Sequence, residues 1–437
     1  MVRNTWRAIV FTLVFPMAFP VTFLGATGPA QVAETATQAS PKPAAQSATQ
    51  AAIQSATQAA IQAPPTDAKT SYIRSLLVDK EFPLTGFKWG GQLMYDFPLN
   101  NKPEDAAITL RRGQLAVWKT FSPSWSFKLT ALYTTGTWQV NDNYLLYSGW
   151  KTAVLQLGVF SPPVSLEYLN NFSGLTFMER NLAVYALSEK KMGGLGVLKR
   201  TSTSIFQGGL FFFTPKEDDT TSSGQALVMR YVHSPIDIAG RTGIHLGGSF
   251  SYRINATDDQ TEFKTRPEVY FTNDKFVDAG TISGSNHILR AGLEATRSVG
   301  RFSWQTEVLS AHIQREGYAD IAFKGAYGQL SWFLTDDSRN YNAGSGVYGA
   351  VSPKEPVFKG GKGAIELAAR VSYVDLTDKD ITGGTESNIS LGLNWYLNAQ
   401  LRVMTNLIKV LNVDRPGNEF DGEDPWIFGL RLQWVLE

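Results

Sequence analysis

Between Phe87 and Phe97 the chain reads FKWGGQLMYDF, and its two residue parities differ in chemistry. Phe87, Trp89, Gly91, Leu93, Tyr95 and Phe97 form an apolar, aromatic-tipped row, while Lys88, Gly90, Gln92, Met94 and Asp96 form a largely polar one. Successive side chains of a β-strand point to opposite faces, so this is a strand with one greasy face and one wet face. A single strand of this kind also fits a soluble sandwich. The same pattern returning to the C-terminus, behind an export signal, instead describes a transmembrane antiparallel β-barrel with lipid outside and water inside.

The recurrences are regular. Trp125, Phe127, Leu129, Ala131 and Tyr133 stand opposite Ser126, Lys128, Thr130 and Leu132. Ile244, Leu246, Gly248, Phe250 and Tyr252 oppose His245, Gly247, Ser249, Ser251 and Arg253, and Leu289, Ala291, Leu293 and Ala295 oppose Arg290, Gly292 and Glu294. Ile365 to Tyr373, Ile389 to Leu397, Leu401 to Val403 and Trp426 to Leu436 repeat it, with Glu366, Arg370, Arg402 and Arg431 on the polar side. Aromatic residues cluster near the ends of these runs, where a girdle would meet lipid headgroups. Gly, Asn, Asp and Pro clusters of unequal length separate them, such as Glu217 to Gly224 and Asp336 to Gly346. At roughly 20 to 25 residues per strand and connection, the span from residue 85 onward holds about 16 strands.

The start of the chain has a different character. Arg3 and Arg7 precede an apolar run from Ala8 to Leu24, followed by Gly25, Ala26 and Gly28, so residues 1–26 read as a secretory signal peptide. Pro16 and Pro20 oppose a spanning helix there. Residues 27–70 are nearly all Ala, Gln, Thr, Ser and Pro, with QSATQAAI in tandem at 46–53 and 54–61. Such a stretch lacks the bulky apolar side chains that offset chain entropy, and reads as a disordered linker, a candidate for contact with the cell wall. Residues 71–437 are then the barrel domain.

Bulk charge excludes some partners. The formal net charge is +1, which gives no basis for nucleic-acid binding, so any anion preference must come from local placement. There are no cysteines, hence no disulfide framework and no thiolate metal site. The four histidines have no HExxH or His-x-His spacing, and no nucleophile and base are singled out, so neither an enzyme nor a cofactor is implied.

Several stretches resemble one family, the phosphate-selective porins of the O and P type. Ser331 to Asp378 resembles that family's run of a strand ending in FLTG-like residues, an R-x-Y step and a KGA-x-E-L-A-A-R-x-S strand, and LGLNWYLN at 391–398 continues it. TLRRGQLAVW at 109–118 is similar to its strand with paired arginines, and residues 161–182 to its TFMER segment. Arg266-Pro267-Glu268 and VDAG at 277–280 also fit. The resemblance implies an outer-membrane homotrimer of 16-stranded barrels, surrounded by lipid, narrowed by inward loops and passing small anions, phosphate or polyphosphate among them. It places Arg111 and Arg112 at the paired arginines and Arg180 at the arginine of the TFMER segment. This chain departs from the family at Gln92, where phosphate-selective members carry arginine, and it lacks their R-x-R ladder. A general, weakly selective porin, or a barrel whose main task is tethering membrane to wall, is the alternative.

Parity independently marks lumen cations at Lys88, Arg112, Lys128, Arg253, Arg290, Arg370, Arg402 and Arg431, and prefers Arg112 to Arg111. Inward carboxylates are Asp96, Glu294, Glu307 and Glu366. Fixed positive charge lining a narrow aqueous pore concentrates anions, and arginine's planar fork suits phosphate. The competing role for these arginines is pairing with Glu294, Glu307 and Glu366 to hold wall and loops together.

Overall fold

The computed structural model describes residues 86–99, 107–134, 136–213, 224–234, 243–255 and 261–436. The expected signal peptide and linker lie outside them. The first strands are β1 (Lys88–Pro98), β2 (Thr109–Ser122), β3 (Trp125–Thr134), β4 (Thr137–Val140), β5 (Asn143–Tyr147) and β6 (Ala153–Phe160). After a long connection come β7 (Met192–Arg200), β8 (Ser204–Phe213), β9 (Gly224–His233) and β10 (His245–Asn255). A small hairpin of β11 (Thr261–Thr265) and β12 (Val277–Ile282) precedes β13 (Ser285–Val299), β14 (Phe302–Arg315) and β15 (Ile321–Phe333). A second hairpin, β16 (Asn340–Asn342) and β17 (Val347–Gly349), precedes β18 (Ala364–Asp378), β19 (Ile381–Tyr396), β20 (Leu401–Asp414) and β21 (Trp426–Leu436).

Every wall pairing is antiparallel between neighbours in sequence, and β1 pairs with β21, for example Leu93 with Trp434, which closes the sheet into a barrel. Both β4 and β5 pair with β3, so they are one wall strand broken at Asn141 and Asp142, and the wall has 16 strand positions. Closure leaves no edge with unpaired backbone groups, the condition for crossing lipid with strands.

The parity rows sort as the alternation requires. Leu129, Leu246, Leu293, Leu391 and Trp434 face outward and exposed, while Thr130, His245, Glu294, Ser390 and Gln433 face inward and buried. Trp125, Phe302, Trp332, Trp395 and Trp434 lie at strand ends on the side of the short turns, and Tyr133, Trp138, Tyr252 and Trp426 near the opposite ends. These are the two aromatic girdles expected at the lipid interfaces.

Among the described residues, three connections fold inward. Residues 161–191 carry helix α1 (Leu166–Leu169), a 3-10 turn (Phe172–Gly174) and helix α2 (Leu182–Leu187). Residues 261–284, with β11 and β12, enter from the same side, and residues 334–363, with β16 and β17, from the side of the short turns. The interior on one flank is therefore packed rather than open. Leu182, Val184 and Leu187 of α2 join Phe263, Val277, Ile313, Phe323 and Tyr327 in one apolar cluster, and Met178, Val269, Phe271, Met404 and Ile427 form another.

Wall glycines make room for these loops. A Cβ at Gly325 would come within 2.7 Å of the Ala183 side chain, and one at Gly429 within 2.7 Å of the Phe271 ring. The wall lacks side chains where the loops press on it.

Candidate functional site

The segment 161–191 is shaped locally by side-chain caps. Ser165 accepts from the Tyr168 N–H at 3.1 Å, Asn171 from the Phe172 N–H at 2.9 Å and Asn181 from the Val184 N–H at 3.0 Å. Each supplies an acceptor to a backbone donor that a short helix leaves unpaired. The wall completes the first of these turns. Glu307 on β14 accepts from the N–H groups of Leu166 and Glu167 at 2.9 and 2.8 Å, and from the Tyr327 hydroxyl at 2.7 Å.

Ion pairs then seat the loops on the wall. Arg111 meets Glu179 in a two-pronged contact at 2.6 and 2.9 Å, and Glu179 also receives Arg431 at 2.6 Å. Arg431 in turn grips Asp96 of β1 at 2.6 and 2.7 Å. Glu189, at the other end of the same segment, pairs with Arg290 and with Arg253, and accepts from Ser251 at 2.9 Å. Glu268 of the second inward loop lies 2.8 Å from Arg370 and accepts from Ser372 and Ser390 at 2.6 and 2.7 Å. It has φ of 59°, a left-handed backbone uncommon for glutamate, held in place by these three partners.

The loop carboxylates respond to this setting. Burial pushes Glu179 up, but Arg111 and Arg431 overcome it and hold the group down at about 2. Burial likewise opposes Glu189, whose carboxyl Arg290 and Arg253 nevertheless hold below its ordinary value. For Glu167 burial prevails over Arg370 and raises the group.

Beside the packed flank lies a cavity of about 950 Å³. Among the described residues its lining holds ten Lys or Arg (Arg111, Arg112, Lys128, Arg180, Lys190, Lys191, Arg253, Lys264, Arg266, Arg290) against Asp142, Glu189 and Glu262. A formal net charge of +1 for the chain thus conceals a strongly basic cavity lining.

Apart from Lys88, the expected site residues fall into three groups. Arg111, Arg253 and Arg290 border the cavity and are paired with loop carboxylates. Arg370, Arg402 and Arg431 point inward, as parity requires, but the loops cover them. Arg402 donates to the carbonyls of Leu175 and Thr176 at 2.7 and 3.1 Å, and Arg370 to the Glu179 carbonyl at 3.0 Å. Lys88 stands half-buried at the turn-side end of β1, away from the cavity lining.

Arg112, Lys128 and Arg180 form the third group. Arg112 donates to the Gln114 amide oxygen at 2.9 Å, and among the described residues no carboxylate forms an ion pair with it. Arg180 donates to the backbone carbonyls of Glu167, Tyr168 and Asn170 at 3.1 to 3.3 Å and likewise keeps its charge uncompensated by a carboxylate. Lys128 lies 3.6 Å from Asp142, which it shares with Lys191. The guanidinium carbons of Arg111, Arg112 and Arg180 stand 4.9, 4.8 and 4.6 Å from the centroid of the Phe172 ring, a cluster of like charges held apart by an aromatic face.

Strict alternation allows only one of Arg111 and Arg112 to face inward, and both do. Between β1 and β2 the register runs Met94 to Arg112, then Tyr95 to Leu110, so Arg111 is the extra residue of a β-bulge. The bulge re-aims its side chain to the lumen. Lys190, Lys191, Lys264 and Arg266 also border the cavity without having been singled out. They sit on loops or short loop strands, where the wall's two-residue alternation does not apply.

The family model described as phosphate-selective porin O and P matches residues 87–436. The chain is 26% identical over 404 residues to Porin O of Pseudomonas aeruginosa, spanning 82% of this chain and 89% of that one. It is 27% identical over 285 residues to an uncharacterized protein of Caulobacter vibrioides, spanning 63% and 54%. An anion-selective porin from Comamonas acidovorans superposes on 80% of this chain and 98% of its own, with 11% identity and a TM-score of 0.49, a likeness too loose to carry weight. The family match runs the length of the wall from β1 to β21, and the chain belongs to the phosphate-selective porin O and P family of bacterial outer-membrane channels.

Proposed function

We propose that this porin passes small anions by diffusion, phosphate among them, with Arg112 and Arg180 as the principal guiding cations at the narrowing made by residues 161–191. The observation that carries this reading is the cavity lining, ten basic residues against three acidic ones. In a narrow channel walled by low dielectric, such an excess concentrates anions and repels cations. The arginines that pair with Glu179, Glu189 and Glu268 serve mainly to hold the loops, and their charge is largely compensated. The test is the reversal potential of purified protein in a planar bilayer across a potassium chloride gradient. An anion-signed potential supports the reading, and one near zero returns the general, weakly selective porin.

The assembly we propose is a homotrimer embedded in outer-membrane lipid. The wall is lower over β3 to β10, where strands other than the broken β4–β5 run 8 to 11 residues, against 13 to 16 over β13 to β15 and β18 to β20. That low stretch is the surface a neighbouring copy would cover. Cross-linking in detergent that gives a single band at three times the monomer mass checks it. Residues 1–26 keep their reading as an export signal and 27–70 as a linker reaching toward the cell wall.

A further inference from the structure

We propose that the lumen accepts organic anions with a planar aromatic body, such as aryl phosphomonoesters, in preference to inorganic phosphate. This rests on the anion-channel reading above and narrows its substrate class. The cavity is lined by Tyr168, Tyr185 and Tyr270, all partly exposed, and by the ring of Phe172. Each of the three tyrosines carries a basic group against its ring. Arg180 stands 4.9 Å from the centroid of Tyr168, Lys190 5.0 Å from Tyr185, and Arg266 and Arg111 4.2 and 3.7 Å from Tyr270.

A site for a bare tetrahedral anion gathers several donors around one point. Here aromatic surface separates the cations, and neutral amides, Gln92 and Gln114, fill neighbouring lining positions. A cation next to an exposed ring matches a ligand with an anionic head and a flat apolar body. The head meets the guanidinium or ammonium, and the body packs on the ring or on the guanidinium plane, which itself stacks on aromatic surfaces. About 950 Å³ is also the scale of pockets that enclose organic molecules of this kind.

The experiment titrates chloride current through the purified porin in planar bilayers with phenyl phosphate, cyclohexyl phosphate and inorganic phosphate, at a pH where all are dianions. Half-block by phenyl phosphate is expected at a concentration about five- to tenfold below that for inorganic phosphate, with cyclohexyl phosphate between them. In Tyr185→Leu and Tyr270→Leu the preference for phenyl phosphate should fall to about twofold or less, and in the matching Tyr→Phe variants it should persist. Each variant's ratio is read against its own inorganic phosphate value, so a general loss of affinity does not mimic the effect. Equal or weaker block by phenyl phosphate than by inorganic phosphate overturns the proposal while leaving the channel anion-selective. Equal block by cyclohexyl phosphate overturns the aromatic part. A cation-signed reversal potential instead overturns the anion-channel reading itself.

Discussion

Arg111 and Glu179, 68 residues apart in the chain, meet through two hydrogen bonds of 2.6 and 2.9 Å inside the barrel. Arg111 stands at the bulge of β2 and Glu179 on the inward loop, so a local irregularity of the wall creates the loop's anchor. Arg431 joins from β21 and ties the same carboxylate to Asp96 of β1, which places the anchor at the seam that closes the barrel.

Glu179→Gln should therefore loosen the constriction. It leaves Arg111 and Arg431 short of a buried countercharge, and breaking such a pair typically costs about 3 to 5 kcal/mol. The wall sheet should survive, since its backbone pairing is untouched. Single-channel recordings should show added open-state noise and protease nicking within 161–191, with β-signal by circular dichroism unchanged.

The same carboxylate sets a pH window. In the docked loop its pKa is about 2 against an ordinary value of 4.5, so the docked state binds fewer protons than the released one. The stabilisation is fully present above about 4.5 and is lost as pH falls toward about 2. Open-state noise should stay flat from pH 7 down to about pH 5 and rise below pH 4. A rise beginning near pH 6 would point to a different group.

Gly325 tests the seating of α2. A side chain there has no room, with Ala183 at 2.7 Å and the Tyr373 carbonyl at 2.8 Å from an added Cβ. Gly325→Val should push α2 off the wall and cost on the order of 1 to 3 kcal/mol through overpacking. Conductance should rise as the inward segment retreats, whereas the protein's heat resistance in detergent should fall only modestly.

Much of the wall was legible because one physical rule, alternate faces of a strand, governs it throughout. The rule placed Asp96, Glu294, Arg370 and Arg431 on the inner face, where they are. It failed where the chain leaves the rule. The bulge at Arg111 adds one residue and turns a lipid-parity position inward, and the wall strand after β3 breaks at Asn141 and Asp142. The partners of the wall arginines lay further from reach. Arg370 pairs with Glu268 and Arg290 with Glu189, both on loops with no period, so parity found the cations but not what covers them. Glu307 shows the same limit. Its inward direction was readable, but its acceptance of backbone N–H groups from residues 166 and 167 depends on a loop fold that no local pattern encodes.

The central claim is that selectivity comes from guanidinium groups that border the cavity without a carboxylate partner, not from lumen arginines as a set. The most direct measurement compares the chloride-to-potassium permeability ratio of Arg112→Gln and Arg402→Gln with the parent channel, by reversal potential at one salt gradient. Both are buried, but Arg112 borders the cavity without an ion pair among the described residues, whereas Arg402 lies outside the cavity lining against the carbonyls of Leu175 and Thr176. The account predicts that Arg112→Gln lowers the ratio by about threefold or more and Arg402→Gln by less than about twofold, since charge on the cavity lining dominates the field felt by the ion. Equal losses in both variants, or a loss confined to Arg402→Gln, would contradict it.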